Sequence, residues 1–282
     1  MESILRLHDV TKQYEGFSLD KVSIDLPSGC IMGLIGANGA GKTTTIKAIL
    51  GLIQTDGGSV RLFGREDPAA IDGLKEDIGV VLDESNFPEN LTVKNVNLIL
   101  RNIYKQWDGA KFLALAEQFD LASDKTIKKY SHGMKMKLSI AVALSHQARL
   151  LILDEATSGL DPIARDEILD VLLDFIQDES HSVLMSSHIT SDLEKVSDYI
   201  TFIHKGQIVF SDSKDELLER YGILRCTQGE FDALAPGLIK GYRKNSFGVD
   251  ALVFRDDLPG DHVVDPASIE DIMLYRVKEM KS

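Results

Sequence analysis

Gly36-Ala37-Asn38-Gly39-Ala40-Gly41-Lys42-Thr43-Thr44 follows the apolar run Ile31-Met32-Gly33-Leu34-Ile35 and leads into residues 42–50, whose apolar positions recur at helical spacing. Glycines let the backbone take positive φ and turn successive N–H groups into a concave nest that suits phosphate oxygens. A helix starting there adds its partial positive charge. The spacing predicts that Lys42 reaches the β- and γ-phosphates of a nucleoside triphosphate and that the Thr43 hydroxyl ligates Mg²⁺. A glycine-rich turn with a purely structural purpose is the weaker reading, because strand, loop and helix come in the required order.

Outward from this loop, short β-rich runs alternate with helical patterns. Strands are expected over 4–10, 22–26, 31–35, 60–63, 78–82, 150–153, 183–186, 200–204 and 207–210, and helices over 42–50, 93–105, 110–119, 133–145, 164–176 and 192–196. The runs at 31–35, 150–153, 183–186 and 200–204 are mostly apolar without clean alternation, as in strands buried on both faces. The fold class is therefore α/β with a mainly parallel sheet and right-handed crossovers. The runs at 4–10 and 22–26 alternate apolar and polar positions, which predicts a smaller antiparallel β subdomain. Residues 91–145 read as almost wholly helical, a helical subdomain inserted into the α/β core.

Two more elements carry chemistry. Leu150-Leu151-Ile152-Leu153-Asp154-Glu155 is a buried strand ending in paired carboxylates, where open α/β sheets place their ligands. Asp154 is expected to hold Mg²⁺ through its water shell, and Glu155 to act as general base for, or orienter of, an attacking water. His188 follows the strand at 183–186 and is positioned to reach a γ-phosphate as a neutral donor near pH 7.

The chain has 282 residues, 44% of them hydrophobic and 27% charged, with a net charge of −13. That balance makes disorder unlikely as a reading and disfavours nonspecific nucleic-acid binding. No apolar run approaches the roughly 18–20 residues of a membrane span, and the first residues do not read as a secretory signal. Cys30 and Cys226 lie far apart and match no metal spacing, so reduced cytosolic thiols are expected. Beyond residue 220 the texture changes, with Gly, Pro and Asp, a weak strand pattern at 251–254 and a final helix expected over 268–278. The domain boundaries read as 1–220 and a small C-terminal extension, 221–282.

Further stretches stand in order around the loop and the acidic pair: Tyr14 near the first strand, Ile78-Gly79-Val80-Val81-Leu82-Asp83-Glu84, Tyr130-Ser131-His132-Gly133-Met134 and Ser158-Gly159-Leu160-Asp161. Together they resemble the ATP-binding subunit of an ABC transporter, a P-loop NTPase with an ABC ATPase core, over roughly residues 4–220. Tyr130–Met134 occupies the place of the family's LSGGQ signature, the Ser158 stretch that of its D-loop and His188 that of its switch histidine. Tyr14 stands where an aromatic stacks on adenine, with Phe17 as a substitute.

The resemblance implies a head-to-tail dimer, homodimeric or heterodimeric, in which the phosphate loop of one copy faces Ser131 and Gly133 of the other across ATP. It also implies a separate membrane-spanning permease, docked on residues 91–145 and around 83–88. Within the family the features match subunits of exporters of drugs, peptides or antibiotics, peripheral on the inner face of the cell membrane. The alternatives are a non-transport ABC ATPase and a regulatory nucleotide-binding module. Two stretches depart from the family: in the signature His132 replaces Gly and Met134 replaces Gln, and Asp83, or else Glu84, stands where a glutamine senses Mg²⁺.

Overall fold

The computed structural model describes residues 3–66, 74–83, 87–259 and 262–279. Its centre is a six-stranded sheet in the order β5-β6-β7-β3-β8-β9. The members are β3 (Ile31–Ile35), β5 (Ile78–Val81), β6 (Leu150–Asp154), β7 (Ser182–Ser187), β8 (Tyr199–His204) and β9 (Gln207–Ser213). The first five are parallel, and β9 closes the edge antiparallel to β8.

The unbroken apolar runs have a direct cause. Side chains alternate across a strand, and on β3 Ile31 and Ile35 enter one core while Met32 and Leu34 enter another. On β6, Leu151 and Leu153 face the first core and Leu150 and Ile152 the second; on β7, Val183 and Met185 oppose Leu184 in the same way. Both faces of the sheet are covered, so both sets of positions must be apolar.

One cover is the expected antiparallel subdomain. β1 (Ser3–Tyr14), β2 (Phe17–Pro27) and β4 (Gly57–Leu62) form a sheet in the order β2-β1-β4. Helix α1 (Lys42–Ile49) packs in the same core through Ile46, Ala48 and Ile49. The other cover includes α2 (Val93–Leu100), α3 (Gly109–Gln118), α4 (His132–Ala143) and α5 (Pro162–Phe175). α2 is shorter than the helix expected over 93–105. Its last carbonyls are taken by the turn at 101–104, and the Asn102 amide donates to Leu98 O at 2.8 Å, a local bond that competes with helical continuation.

Past α6 (Thr190–Val196) and α7 (Lys214–Arg220), the chain enters a second antiparallel sheet in the order β11-β12-β10-β13. It comprises β10 (Tyr221–Cys226), β11 (Ile239–Asn245), β12 (Gly248–Phe254) and β13 (Val264–Pro266), with α8 (Gln228–Ala233) between the first two. The weak pattern at 251–254 is thus part of a paired inner strand. The final helix, α9 (Ile269–Glu279), starts on a reciprocal Ser268–Asp271 cap. Ile269 and Ile272 of α9 share a core with Leu193 and Val196 of α6, and the Ile269 N–H donates to Glu194 Oε1 at 2.7 Å. This C-terminal structure is packed onto the α/β core, which anchors it more firmly than a tail.

Strand order decides where the chemistry falls. β5, β6, β7 and β3 lie side by side and parallel, so their carboxyl ends share one edge. Asp83 lies just beyond β5, Asp154 and Glu155 at the end of β6, His188 after β7 and the glycine loop after β3. Four separated sequence segments converge there because the topology leaves them nowhere else to go.

Candidate functional site

The loop after β3 ends at Gly41, the N-cap of α1, with φ of 118°. That value suits glycine. A Cβ there would also lie 2.8 Å from Leu19 Cδ2, and one on Gly36 would lie 2.5 Å from the Ile203 carbonyl oxygen. The cradle therefore needs glycine at both positions, and its N-terminal helix end is open to an anion.

A cavity of about 630 Å³ opens over this cradle, lined by Asn38, Gly39, Gly41, Lys42, Thr43, Thr44, Asp83, Glu155, Ser158 and His188, with Gly16 and Phe17 at its rim. Lys42 is 5% exposed; its ammonium donates to Gly36 O at 2.6 Å and sits 2.9 Å from Glu155 Oε1. His188 Nδ1–H donates to the other Glu155 oxygen, Oε2, at 2.7 Å. One carboxylate thus holds two nitrogen donors that sequence alone left more than thirty positions away on one side and more than a hundred on the other. Glu155 itself is 13% exposed. Burial pushes its pKa up, but the Lys42 ammonium and His188 outweigh this and hold the carboxyl below its ordinary value.

Glu155 adopts φ of 53°, in the left-handed region that ordinary residues avoid. Ser186 stabilises it there. The Glu155 N–H meets both the Ser186 carbonyl, at 3.2 Å, and its hydroxyl, at 3.1 Å. The same hydroxyl donates to Asp154 Oδ1 at 2.6 Å, and Asp154 is only 2% exposed. Ser186 thus fixes both members of the acidic pair, a role the sequence analysis missed. The available signal was a buried hydroxyl residue following the apolar run Val183-Leu184-Met185.

The other expected residues fall as follows. Ala37 and Ala40 belong to the cradle, with the Ala40 N–H donating to Ala37 O at 3.0 Å. Tyr14 ends β1, is 48% exposed and has the Lys12 ammonium 5.6 Å from its ring centre; Phe17, across the hairpin, is the aromatic that lines the cavity. Asp83 lines the cavity, while Glu84 lies outside the described residues. Ser131 caps α4 by accepting from the Met134 N–H at 3.2 Å, and neither it nor Gly133 lines this cavity.

The donor set fits Mg²⁺. Thr43 is exposed on the cavity, and Asp154, next to Glu155 at the end of β6, is buried and does not itself line the cavity. One hydroxyl and one carboxylate suit an ion that keeps several waters and takes phosphate oxygens as ligands.

The pairing yields a pH prediction. His188→Ala removes one of the two groups that lower the Glu155 pKa, so the carboxylate protonates at higher pH. For the base role expected of Glu155 from the sequence, which requires the ionised form, the acid limb of the kcat/KM profile for nucleotide hydrolysis moves upward. A limb at the wild-type position in this variant contradicts the assignment of Glu155 as the titrating base.

The profile of a family described as ABC transporter matches residues 19–158. The bacitracin transport ATP-binding protein BcrA of Enterococcus faecalis is 36% identical over 224 residues, covering 78% of this chain and 72% of that one. An uncharacterised ABC transporter ATP-binding protein, YhcH of Bacillus subtilis, is 30% identical over 286 residues, covering 99% of this chain and 92% of its own length. A solved dimeric ATP-binding cassette in a post-hydrolysis state, bound to ADP and Pi, superposes with a TM-score of 0.67 at 21% identity, covering 74% of this chain and 98% of that one.

Proposed function

Because the chain belongs to the ABC transporter family of ATP-binding subunits, we propose that its nucleotide site is the cavity around Lys42, Glu155 and His188 and that hydrolysis there drives a membrane partner. The observation that carries this reading is the buried Lys42–Glu155–His188 cluster beside the glycine cradle. An arriving triphosphate offers Lys42 a stronger anionic partner than Glu155. The displaced carboxylate is then free to accept a proton from water, and His188 donates to the γ-phosphate once its N–H has been exchanged from Glu155 to the phosphate. Gly36 to Thr44 hold the phosphates through their backbone N–H groups. Thr43 and Asp154 are the residues that would hold Mg²⁺, with Asp83 on the cavity lining; when bound, the ion would neutralise charge on the phosphate oxygens. The hairpin of Tyr14 and Phe17 offers an aromatic face to adenine.

Two subunits, of one kind or two, are proposed to meet head to tail. Ser131 and Gly133 at the start of α4 lie off the chain's own cavity, which supports their serving a nucleotide held by a second copy. ATP then holds the copies together, and loss of the γ-phosphate releases them. Residues 1–220 form the nucleotide-binding unit and 221–282 an accessory unit. Among the described residues no helix is long and apolar enough to cross a membrane. The proposed spanning part is a separate permease, with this chain on the inner membrane face; the support is the name of relatives such as BcrA, a transport ATP-binding protein. The cargo class proposed is drugs, peptides or antibiotics, supported by relatives named for transport of bacitracin and of a lantibiotic and for daunorubicin/doxorubicin resistance.

The helical subdomain exposes Leu98, Ile99 and Ile103 around the end of α2 and Leu113 on α3, an apolar surface suited to the permease. The full chain should co-purify with a multi-helix membrane protein from its native cells. Leu98→Glu with Ile103→Glu should abolish that association while leaving ATP hydrolysis by the free subunit within about twofold, since surface changes away from a site cost little. Purification without any membrane protein, or association unaffected by the double change, counts against the docking assignment.

A further inference from the structure

The loop after Glu155 is gripped from two sides by residues that touch neither the cradle nor the cavity. His132 opens α4, and its Nε2–H donates to the Ser158 carbonyl at 3.2 Å. A Cβ on Gly159, where φ is 68°, would lie 3.8 Å from His132 Cδ2, and one on Gly133 would lie 3.4 Å from Leu160 Cδ2. The start of α4 therefore already rests on residues 158–160. From the other side, Arg165 Nη2 on α5 donates to the Leu160 carbonyl at 3.3 Å, and Arg165 Nε stands 3.7 Å from Asp192 Oδ2. Asp192 is 4% exposed and lies in the first turn of α6, which begins two residues after His188. A contiguous set of contacts thus runs from the start of α4, through two loop carbonyls, to the segment carrying His188, whose imidazole binds Glu155.

We propose that His132 and Arg165 are positioning residues that hold the Ser158 and Leu160 carbonyls and so set the orientation of Glu155 and His188 for hydrolysis, a role that rests on the ATPase reading above. Glycine at position 132 has no side chain to make this bond, so the imidazole gives the chain a tie of its own between the start of α4 and the loop. Neither residue is assigned a contact with nucleotide. Their loss therefore lowers kcat and leaves KM in place.

The test uses the full chain and Mg-ATP. His132→Gly removes the donor, and kcat should fall about threefold to tenfold, the effect of one hydrogen bond, with KM for ATP within about twofold. His132→Gln returns an N–H donor of similar reach and should restore kcat to within about twofold of wild type. Amide hydrogen exchange across residues 156–161 should quicken in His132→Gly and recover in His132→Gln. Arg165→Lys, which keeps the charge beside buried Asp192 but loses the fork, should also lower kcat. Combined with His132→Gly it should cost less than the product of the two single effects, because both act on one loop.

Wild-type kcat in His132→Gly, a Gln variant as slow as the Gly variant, or a loss confined to KM each overturns the proposal. Unchanged exchange across 156–161 overturns it while leaving the ATPase reading intact. A wild-type chain that binds no ATP removes that reading itself.

Discussion

Glu155→Gln should bind Mg-ATP at least as tightly as the wild type and turn it over about a hundredfold to ten-thousandfold more slowly. The slowing follows from the loss of a general base, whose contribution is typically of that size. The retained affinity follows from the site's geometry. Lys42 is 5% exposed, with its ammonium 2.9 Å from Glu155 Oε1, so the carboxylate competes with any incoming phosphate for that cation. A neutral amide of the same shape removes the competitor. It also leaves a buried ammonium without its counter-ion until the triphosphate arrives, which is costly for the free protein. The thermal midpoint of free Glu155→Gln should therefore lie below that of the wild type, and its rise on adding Mg-ATP should be larger. If two copies pair head to tail as proposed, sedimentation in Mg-ATP should reveal a persistent dimer, because the γ-phosphate proposed to hold them together is not removed. Undiminished turnover removes Glu155 from the role of base. A midpoint rise no larger than that of the wild type contradicts the competition between carboxylate and phosphate.

How much of this was legible beforehand depends on whether the signal was local. The parallel strands could be read because burial on both faces forces continuous apolar runs, as at Ile31–Ile35 and over 150–153. The glycine loop could be read because its backbone demands are local. Asp154, Glu155 and His188 could be located because strand ends in an open sheet converge on one edge. The ion pair of Lys42 with Glu155 could not be read, since it joins two loops whose spacing depends on strand order. Ser186 was hidden for the same reason: its hydroxyl acts across the register of β6 and β7, where Asp154 lies opposite it. The C-terminal sheet was nearly invisible. Its pairings are long-range, such as Leu224 with Val264, and Gly222, Gly241 and Gly248 interrupt the alternation that marks a strand. At all three glycines a Cβ would approach neighbouring atoms within 2.3 Å, so the interruptions are requirements of the packing.

Lys42→Ala probes the other half of the same pair and should give the opposite pattern. ATP affinity should fall about a hundredfold or more, as expected when a desolvated charge-assisted contact to phosphate is lost. The reason goes beyond a missing attraction. With Lys42 gone, the Glu155 carboxylate stays beside the phosphate cradle with only His188 to offset its charge, and it now repels the triphosphate. Burial raises the Glu155 pKa and Lys42 is the first group that offsets this, so the carboxyl in Lys42→Ala should titrate at higher pH than in the wild type. The stability that the depressed pKa supplies is present above the unfolded value and lost as pH falls through the folded one; without Lys42 that contribution shrinks. A double variant separates the two effects. If repulsion by Glu155 contributes, Lys42→Ala combined with Glu155→Gln should bind Mg-ATP more tightly than Lys42→Ala alone, although it hydrolyses nothing. Titration calorimetry of the three variants and the wild type reads this directly. Equal affinity in the single and double variants shows that Lys42 acts by attraction alone, and wild-type affinity in Lys42→Ala overturns the phosphate-loop assignment.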